Sequence, residues 1–297
     1  METVLICGGT GLIGQELRKF LIAKGFDVVI LSRNKTGEFH DKWNPLESLF
    51  PKKYLTSVDH IINLSGESIN QRWTTETRSR LRSSRIESTA FLYELLAQNE
   101  HSVKSFINAS GISIYGDRGD LLLTEKDNPG VDFLANLCVD WEAEAENIRA
   151  LGIRTNIVRI SPVLTKEGGF LKLLIPIAKA GVLNPIGSGN QYFPWIHIAD
   201  LNAIFHFLLV NKDCNDVWNA CSPENVRQQE FNQALCKALK KPYFFPAVPA
   251  KLIQVLFGDR SHLFLDSICS RPENLLQKGF LFKFAGMDDA LKNILSK

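Results

Sequence analysis

The sequence lacks a large net charge and any long apolar run. Its formal net charge is only +2 over 297 residues, so no overall field attracts it to nucleic acid or to an anionic membrane. It carries neither an RNA-binding nor a helix-turn-helix signature, and no apolar run approaches a membrane span. The first strand begins within three residues of the amino terminus, which leaves no signal peptide. We therefore expect a cytoplasmic protein without nucleic-acid or membrane partners.

Paired cysteines are also lacking. The six cysteines, at positions 7, 138, 214, 221, 236 and 269, include no close CxxC pair and no adjacent histidine ligand. This pattern is typical of reduced and mostly buried cysteines, so neither a metal site nor a disulfide framework is predicted. The remaining composition, with 45% hydrophobic and 22% charged residues, is that of a globular protein, and the length favours two lobes over one.

A glycine-spaced turn between an apolar strand and an amphipathic helix stands at the amino terminus. The strand pattern Val4–Cys7 is followed by glycines at 8, 9, 11 and 14, and the helical pattern ends near Gly25. In a dinucleotide-binding loop one glycine allows the sharp turn, a second lets the backbone approach the pyrophosphate, and a third lets helix and strand pack closely. We assign the first role to Gly8 or Gly9, the second to Gly11 and the third to Gly14. The predicted cofactor-binding residues here are Gly8, Thr10, Gly11, Leu12, Ile13 and Gly14.

The residues after the second predicted strand bear on the choice of cofactor. An acidic residue at that point binds the ribose 2′-hydroxyl of NAD, whereas an arginine favours the 2′-phosphate of NADP. The strand pattern at 27–31 is followed by Ser32, Arg33, Asn34 and Lys35, and no acid appears before Glu38. We therefore predict that Ser32 and Arg33 bind NADP(H) in preference to NAD(H). The alternative is that Arg33 is an ordinary solvated side chain.

Strand and helix patterns alternate through the first half of the chain. This alternation predicts an α/β fold with a doubly wound parallel sheet of the Rossmann type. Further strand patterns at 60–66, 104–110 and 155–160 end in small residues, and ligands of such sheets lie beyond the carboxyl ends of the strands. Beyond Pro162 the pattern breaks into short segments rich in glycine and proline, which indicates a second, smaller α/β substrate lobe. We place the dinucleotide-binding domain at 1–165, with 196–220 returning to it, and the substrate lobe mainly at 166–297. The strand ends add Leu64, Ser65, Gly66, Ala109 and Ser161 to the predicted cofactor-binding residues.

Motifs along nearly the whole chain resemble the extended short-chain dehydrogenase/reductases, the superfamily of nucleotide-sugar epimerases and dehydratases. The closest resemblance is to the atypical "NAD-dependent epimerase/dehydratase" subgroup, once labelled cell-division inhibitor, whose substrate is unassigned. It implies a nicotinamide cofactor, and it allows a homodimer because the helices flanking the sheet dimerise in relatives. The segments that carry the match are 8–14, 64–67, 72–73, 110, 115–120, 132–134, 141–142, 187–189 and 194–198.

The superfamily's Tyr-x-x-x-Lys pair is missing. Four-residue spacing would place both side chains on one helix face, where the lysine lowers the tyrosine pKa and the phenol exchanges a proton with the substrate. Alignment on Glu142 puts Leu134 and Cys138 at the two positions. Ser110 matches the small polar residue of the preceding strand, although a short shift of the alignment would put Gly111 there.

Ser110 and Tyr115 are therefore our candidate catalytic residues. Tyr115 is a candidate proton donor, and its alternative role is that of a packed aromatic. Cys138 is more simply a buried apolar residue than a reactive thiol. For His197 we favour a structural or capping role over catalysis, and Asp200 is most simply a first-turn acid that complements a helix dipole.

A local run of arginines at 72, 78, 80, 82 and 85 precedes and enters a helical pattern covering about 77–98. Such a run is usually a solvated helix face, but Arg72 and Trp73 could instead reach the crevice and bind an anionic substrate. The predicted substrate-pocket residues are Glu67, Arg72, Trp73, Phe193 and Trp195. Phe193 and Trp195 have ordinary packing inside the lobe as their alternative.

Three functions remain open at this point. The first is an NADP(H)-dependent oxidoreductase that acts on a small carbonyl or anionic substrate without the Tyr/Lys pair. The second is a non-catalytic module that senses the NADPH/NADP⁺ ratio, since a sensor needs differential affinity but no proton relay. The third, nucleotide-sugar epimerisation or dehydration, is favoured least because it requires a base.

Overall fold

The computed structural model describes residues 1–33, 40–244 and 246–296. In chain order its strands are β1 (Thr3–Cys7), β2 (Asp27–Ser32), β3 (His40–Lys42), β4 (His60–Asn63), β5 (Ser105–Gly111), β6 (Leu122–Leu123), β7 (Arg154–Ile160), β8 (Val163–Leu164), β9 (Tyr192–Phe193), β10 (Ile196–His197), β11 (Val217–Ala220), β12 (Val226–Arg227) and β13 (Cys269–Ser270).

One large sheet organises the fold. Seven strands of the described chain form it in the order β11-β7-β5-β4-β1-β2-β3. The registers of β1 with β2 and β4, of β2 with β3, and of β4 with β5 are all parallel. The strand order reverses at β1, so the switch point of the sheet lies between β1 and β4, where doubly wound sheets bind their ligands. The predicted α/β fold is confirmed, and β11, which lies within the segment 196–220, joins the sheet.

Helices connect these strands. They are α1 (Leu12–Ala23), α2 (Thr75–Ser83), α3 (Ile86–Gln98), α4 (Phe133–Ala150), α5 (Gly169–Lys179), α6 (Ile198–Val210), α7 (Gln228–Ala238), α8 (Ala250–Phe257), α9 (His262–Leu265), α10 (Glu273–Gln277) and α11 (Met287–Leu295). The end of α1 follows from its sequence, because Gly25 adopts φ +88° and the Phe26 amide returns to Leu21 O. The single helical pattern predicted over 77–98 is wrong in one respect, since it is divided into α2 and α3 at Ser84 and Arg85.

Two compact units make up the chain. The first comprises 1–111, 137–159 and 202–218, and the second comprises 112–136, 160–201 and 219–297. Each has its own apolar core: Leu5, Ile61 and Phe106 are central in the first, and Leu164, Phe231 and Leu291 in the second. The domain boundary that the sequence suggested at residue 165 stays a prediction.

Within the described residues, no helix has both the length and the apolar character needed to cross a membrane. The same residues contain no group of three or more histidine, cysteine, aspartate and glutamate side chains able to hold a metal ion. All six cysteines are buried.

Candidate functional site

The turn after β1 brings the chain against the loop that follows β4. Gly8 has φ +74°, and a Cβ on it would lie 2.8 Å from Leu64 O and 2.9 Å from Ser65 Cα. An L side chain is therefore excluded both by the backbone conformation and by the lack of space. Of the two glycines considered for the sharp turn, Gly8 has the positive φ, because Gly9 is not among the residues with φ above zero.

Gly14 and Gly11 differ in what surrounds them. A Cβ on Gly14 would approach the Cα of Gly9 to 2.5 Å, so the first turn of α1 packs directly on the backbone of the loop. A Cβ on Gly11 would meet only Gly8 O, at 3.6 Å. The protein itself therefore does not need glycine at position 11, whereas a ligand approaching this backbone would.

Helix α1 begins at this loop. Gly11 is its N-cap residue, and the first intrahelical bond runs from the Gln15 amide to Gly11 O at 3.0 Å. The amides of Leu12 and Ile13 precede that bond, and the first turn contains no acidic side chain. Free amides and the positive end of the helix dipole are suited to an anion such as a pyrophosphate. Thr10 lies exposed in the turn, where its carbonyl accepts a bond from Gln15 Nε2 at 2.7 Å.

Two buried asparagines shape the loop after β4. Asn63 Nδ2 donates to Asn108 Oδ1 at 2.8 Å and to Thr89 Oγ1 at 2.9 Å, while its Oδ1 accepts from the Ser65 amide at 3.1 Å. The Leu64 amide continues the β-ladder to Cys7 O at 2.9 Å. Ser65 is thereby placed beside Gly8, and its buried hydroxyl has no hydrogen-bond partner in the described part of the chain. A buried polar atom without a partner at the switch point is suited to a polar ligand.

At the end of β2, Ser32 is buried and the next residue, Arg33, is exposed. Asn34, Lys35 and Glu38 lie outside the described residues. Position 33 is thus a solvent-facing cation at the carboxyl edge of the sheet, next to the strand that carries the glycine loop. This placement is compatible both with 2′-phosphate binding and with an ordinary solvated arginine.

Ser110 belongs to a buried charged cluster. Its hydroxyl donates to Glu142 Oε1 at 2.6 Å, and Arg159 donates to the same carboxylate from Nε at 2.9 Å and from Nη2 at 2.8 Å. The three residues are 4%, 8% and 8% exposed. The Ser110 proton therefore points to Glu142, and its oxygen lone pairs remain as acceptors. Ala109, just before it, is buried, and its carbonyl accepts from Asn108 Nδ2.

The two positions of the missing Tyr/Lys pair lie on α4. Leu134 and Cys138 are both buried, and neither side chain can hold or transfer a proton as tyrosine and lysine do. Tyr115, in the second unit, is 0% exposed, and its hydroxyl lies 2.8 Å from both Thr124 O and Asn219 Oδ1. These contacts favour the packed-aromatic role over proton donation.

The predicted substrate-pocket residues of the first unit follow β4. Glu67 Oε1 accepts from Arg80 Nε at 3.3 Å, and Trp73 Nε1 donates to Ile69 O at 3.0 Å. Arg72 is exposed. Two arginines of the run, both on α2, make ion pairs: Arg80 also binds Glu76 at 2.7 Å, and Arg82 binds Asp140 on α4 at 2.7 Å.

The predicted substrate-pocket residues of the second unit lie in or beside the core of that unit. Phe193 packs between Phe170 and Phe231, with ring centroids 5.3 and 4.7 Å away, and Trp195 is 1% exposed. The Ser161 amide donates to Ala220 O at 3.1 Å, and its buried hydroxyl has no partner among the described residues. Ordinary packing therefore accounts for Phe193 and Trp195 within this unit.

The His197 and Asp200 side chains, at the start of α6, both accept hydrogen bonds from backbone amides. His197 Nδ1 accepts from the Ala199 amide at 3.0 Å, which caps the helix, and burial lowers the pKa of its imidazole to about 4. Asp200 accepts the amides of Lys283 and Phe284 at 2.7 and 2.9 Å, and burial raises the pKa of its carboxyl.

The second unit also contains an open polar cleft of about 760 Å³, which sequence reasoning did not find. Its lining includes Asp117, Asp120, Gln191 and Arg227. Arg227 is already engaged there, since it lies 3.3 Å from Asp120 and stacks 4.4 Å above the ring of Tyr192.

Sequence reasoning also missed the buried partners of the loop. Asn63 and Asn108 occupy equivalent register positions in β4 and β5, and both follow isoleucine near the end of an apolar strand. A buried asparagine in an otherwise apolar strand needs hydrogen-bond partners, which was the available signal. Arg159, within the strand pattern at 155–160, gave the same signal for Glu142.

The parallel sheet and its flanking helices are those of a Rossmann-like protein. Residues 4–221 match the model of the NAD dependent epimerase/dehydratase family, and residues 248–294 match a domain of unknown function, DUF1731. The chain belongs to the NAD dependent epimerase/dehydratase family, as the resemblance in the sequence implied.

Individual relatives match along the whole chain. It is 32% identical to the epimerase family protein SAR0825 of Staphylococcus aureus (strain MRSA252), covering all of both chains. It is 29% identical to the epimerase family protein YfhF of Bacillus subtilis (strain 168), covering 99% of this chain and 98% of the relative. Human epimerase family protein SDR39U1 (isoform 2), whose crystal structure was determined with NADPH, is similar with a TM-score of 0.89, 32% identity and 98% coverage of both chains.

Proposed function

We propose that this chain binds NADP(H) at the loop between β1 and α1 and works as an oxidoreductase on a small carbonyl or anionic substrate, without a Tyr/Lys pair. The observation that carries the proposal is the space at the switch point: Gly11 has room for a ligand, free amides of α1 face it, and the Ser65 hydroxyl nearby has no partner in the described chain. The human relative whose structure contains NADPH supports the same cofactor class.

The residues present fit this cofactor. Main-chain amides at Leu12 and Ile13 would hold the pyrophosphate, Ser65 would bind a ribose or phosphate oxygen, and Arg33 would bind the 2′-phosphate. When bound, the nicotinamide supplies or accepts a hydride. Ser110, with its proton held by Glu142, presents an acceptor to a hydroxyl group of the substrate. The arginine at position 72 is the exposed cation that we assign to an anionic substrate.

The preference for NADP(H) is tested at Arg33. Replacing Arg33 with alanine should weaken NADPH binding about tenfold, because a charge-assisted hydrogen bond to the 2′-phosphate is lost. NADH binding should not change. Titration calorimetry with both cofactors checks this, with Lys24→Ala as the control, since Lys24 is an exposed cation at the opposite end of α1. Comparable binding of NADPH and NADH by the unaltered protein would contradict the preference.

Catalysis is tested by turnover. We expect NADPH absorbance to fall with some member of a broad panel of carbonyl and enone compounds. The Ser110→Ala variant should bind NADPH as the unaltered protein does, because Ser110 is not part of the glycine loop, yet should turn over more slowly. A protein that binds NADPH but is silent across the panel would contradict the oxidoreductase assignment.

One observation favours a second candidate function. Leu134 and Cys138, at the positions of the missing Tyr/Lys pair, are buried. The hydroxyl of Tyr115, the candidate proton donor, is already hydrogen-bonded to Thr124 and Asn219. None of these three residues is therefore well suited to give a proton to a substrate. A redox-sensing module needs no such donor. It predicts clearly different affinities for NADPH and NADP⁺ together with no turnover, and equal affinities would rule it out. Association into a homodimer stays a prediction that only the resemblance supports.

A further inference from the structure

Arg85 differs from the other arginines of its run. It stands at the break between α2 and α3, where its side chain turns back to the main chain. Nη1 donates to Leu81 O at 3.1 Å, and Nη2 donates to Glu67 O at 2.9 Å. Whereas Arg80 and Arg82 are neutralised by carboxylates, no carboxylate forms an ion pair with Arg85 in the described part of the chain.

The guanidinium of Arg85 is partly buried between Gly66 and the ring of Trp141. Its Cζ lies 5.3 Å from the ring centroid of Trp141, on α4, and a Cβ on Gly66 would approach Cζ and Nη2 to 3.0 Å. Burial lowers the pKa of Arg85, and the neighbouring Cys138 thiol and Glu67 carboxyl act in the opposite direction. A cation sandwiched between a glycine and an indole ring is fixed in orientation. Two hydrogen bonds to carbonyls use only part of its five N–H donors.

The strand order places this cation relative to a dinucleotide. Arg33 follows β2, the glycine loop follows β1, and the loop containing Gly66 follows β4 on the other side of β1. A dinucleotide whose pyrophosphate lies at β1 and whose 2′-phosphate lies at β2 extends its other half toward β4. The Arg85 side chain lies beside that loop and beside Cys138 of α4. Helix α4 itself has no cation at position 134 or 138.

We propose that Arg85 is a cofactor-binding residue whose guanidinium donates hydrogen bonds to oxygens of the nicotinamide-ribose half of NADP(H), supplied from the α2–α3 break rather than from α4. The proposal rests on the NADP(H) binding proposed above. The two hydrogen bonds to carbonyls and the indole ring fix the plane of the guanidinium. Its remaining N–H donors can therefore bind the ligand without a further loss of side-chain freedom.

The test compares two ligands in calorimetric titrations: NADPH and adenosine 2′,5′-bisphosphate, which lacks the nicotinamide half. Arg85→Met should weaken NADPH binding about tenfold to a hundredfold and leave adenosine 2′,5′-bisphosphate binding unchanged. Arg82→Met, which removes a charge from the neighbouring end of α2, should affect neither ligand. The double variant Arg85→Met/Cys138→Lys, which returns a cation to this place from α4, should recover part of the lost NADPH affinity.

Equal losses for both ligands, or no loss for NADPH, would overturn the proposal, because a purely structural role of Arg85 disturbs the whole loop. If Arg85→Met does not fold, Arg85→Lys gives the same comparison. That variant keeps the charge but loses the planar fork, so it should weaken NADPH binding more than binding of the fragment, and equal effects again overturn the proposal. Failure of the unaltered protein to bind NADPH would instead refute the proposed function.

Discussion

Replacing Glu142 with alanine should lower the free energy of unfolding by about 3–5 kcal/mol. The stability is lost because the substitution leaves the buried partners of the Glu142 carboxylate in place. The Arg159 guanidinium donates to Glu142 through Nε and Nη2, and Arg159 and Ser110 are both buried. Removing the carboxylate takes away the charge that Glu142 supplies to the buried Arg159 guanidinium, and it takes away the acceptor of the Ser110 hydroxyl. Urea denaturation followed by circular dichroism measures the change.

Asp140→Ala is the matched control, two residues earlier on the same helix. Asp140 pairs with Arg82 at 2.7 Å, but about half of each side chain is exposed, so the loss should be below about 1 kcal/mol. Glu142→Gln should fall between the two, because glutamine keeps an acceptor for one partner. Equal losses for Glu142→Ala and Asp140→Ala would show that the buried cluster does not stabilise the fold.

The fold follows from local sequence to a large extent. The glycine spacing after Val4–Cys7 predicts the strand, the turn and the start of α1, since each depends on residues close together in the chain. The break between α2 and α3 was not predictable, because no proline or glycine stands there. The side chain of Arg85 bonds the distant carbonyl of Glu67, and that tertiary contact accompanies the break.

The site could be predicted from the sequence less fully, because several of its contacts join residues that are far apart in the chain. The roles expected of Gly8, Gly11 and Gly14 concern backbone within one turn and its neighbours, and their surroundings match those roles. Asn63 with Asn108, and Glu142 with Arg159, are pairs separated by 45 and 17 residues. Each was visible only as a polar residue in an apolar pattern. Neither the partner nor the consequence, that Ser110 points its proton inward, can be obtained from periodicity.

Lowering the pH from about 6.5 to about 4 should destabilise the protein through His197, by about 3 kcal/mol at the lower limit. This imidazole is 3% exposed, and burial, with the Lys283 ammonium acting in the same direction, lowers its pKa from 6.5 to about 4. The unfolded chain therefore takes up a proton near pH 6.5, whereas the folded chain keeps the ring neutral until about pH 4. Over that interval the unfolded state binds more protons, and acid favours unfolding.

His197→Asn isolates this contribution. Asparagine keeps a side-chain acceptor for the Ala199 amide, which is the contact that caps α6, but it does not titrate. Relative to the unaltered protein, the variant should lose less stability between pH 6.5 and 4 in parallel urea denaturations. Burial also lowers the pKa values of His60 and His206, so some acid sensitivity should remain. The pKa of His262, paired with Asp266, is raised, so the stability that it contributes is lost as the pH rises above 6.5, and it adds little to the change between pH 6.5 and 4. Identical pH profiles for His197→Asn and the unaltered protein would show that the pKa of His197 is the same in the folded and the unfolded state.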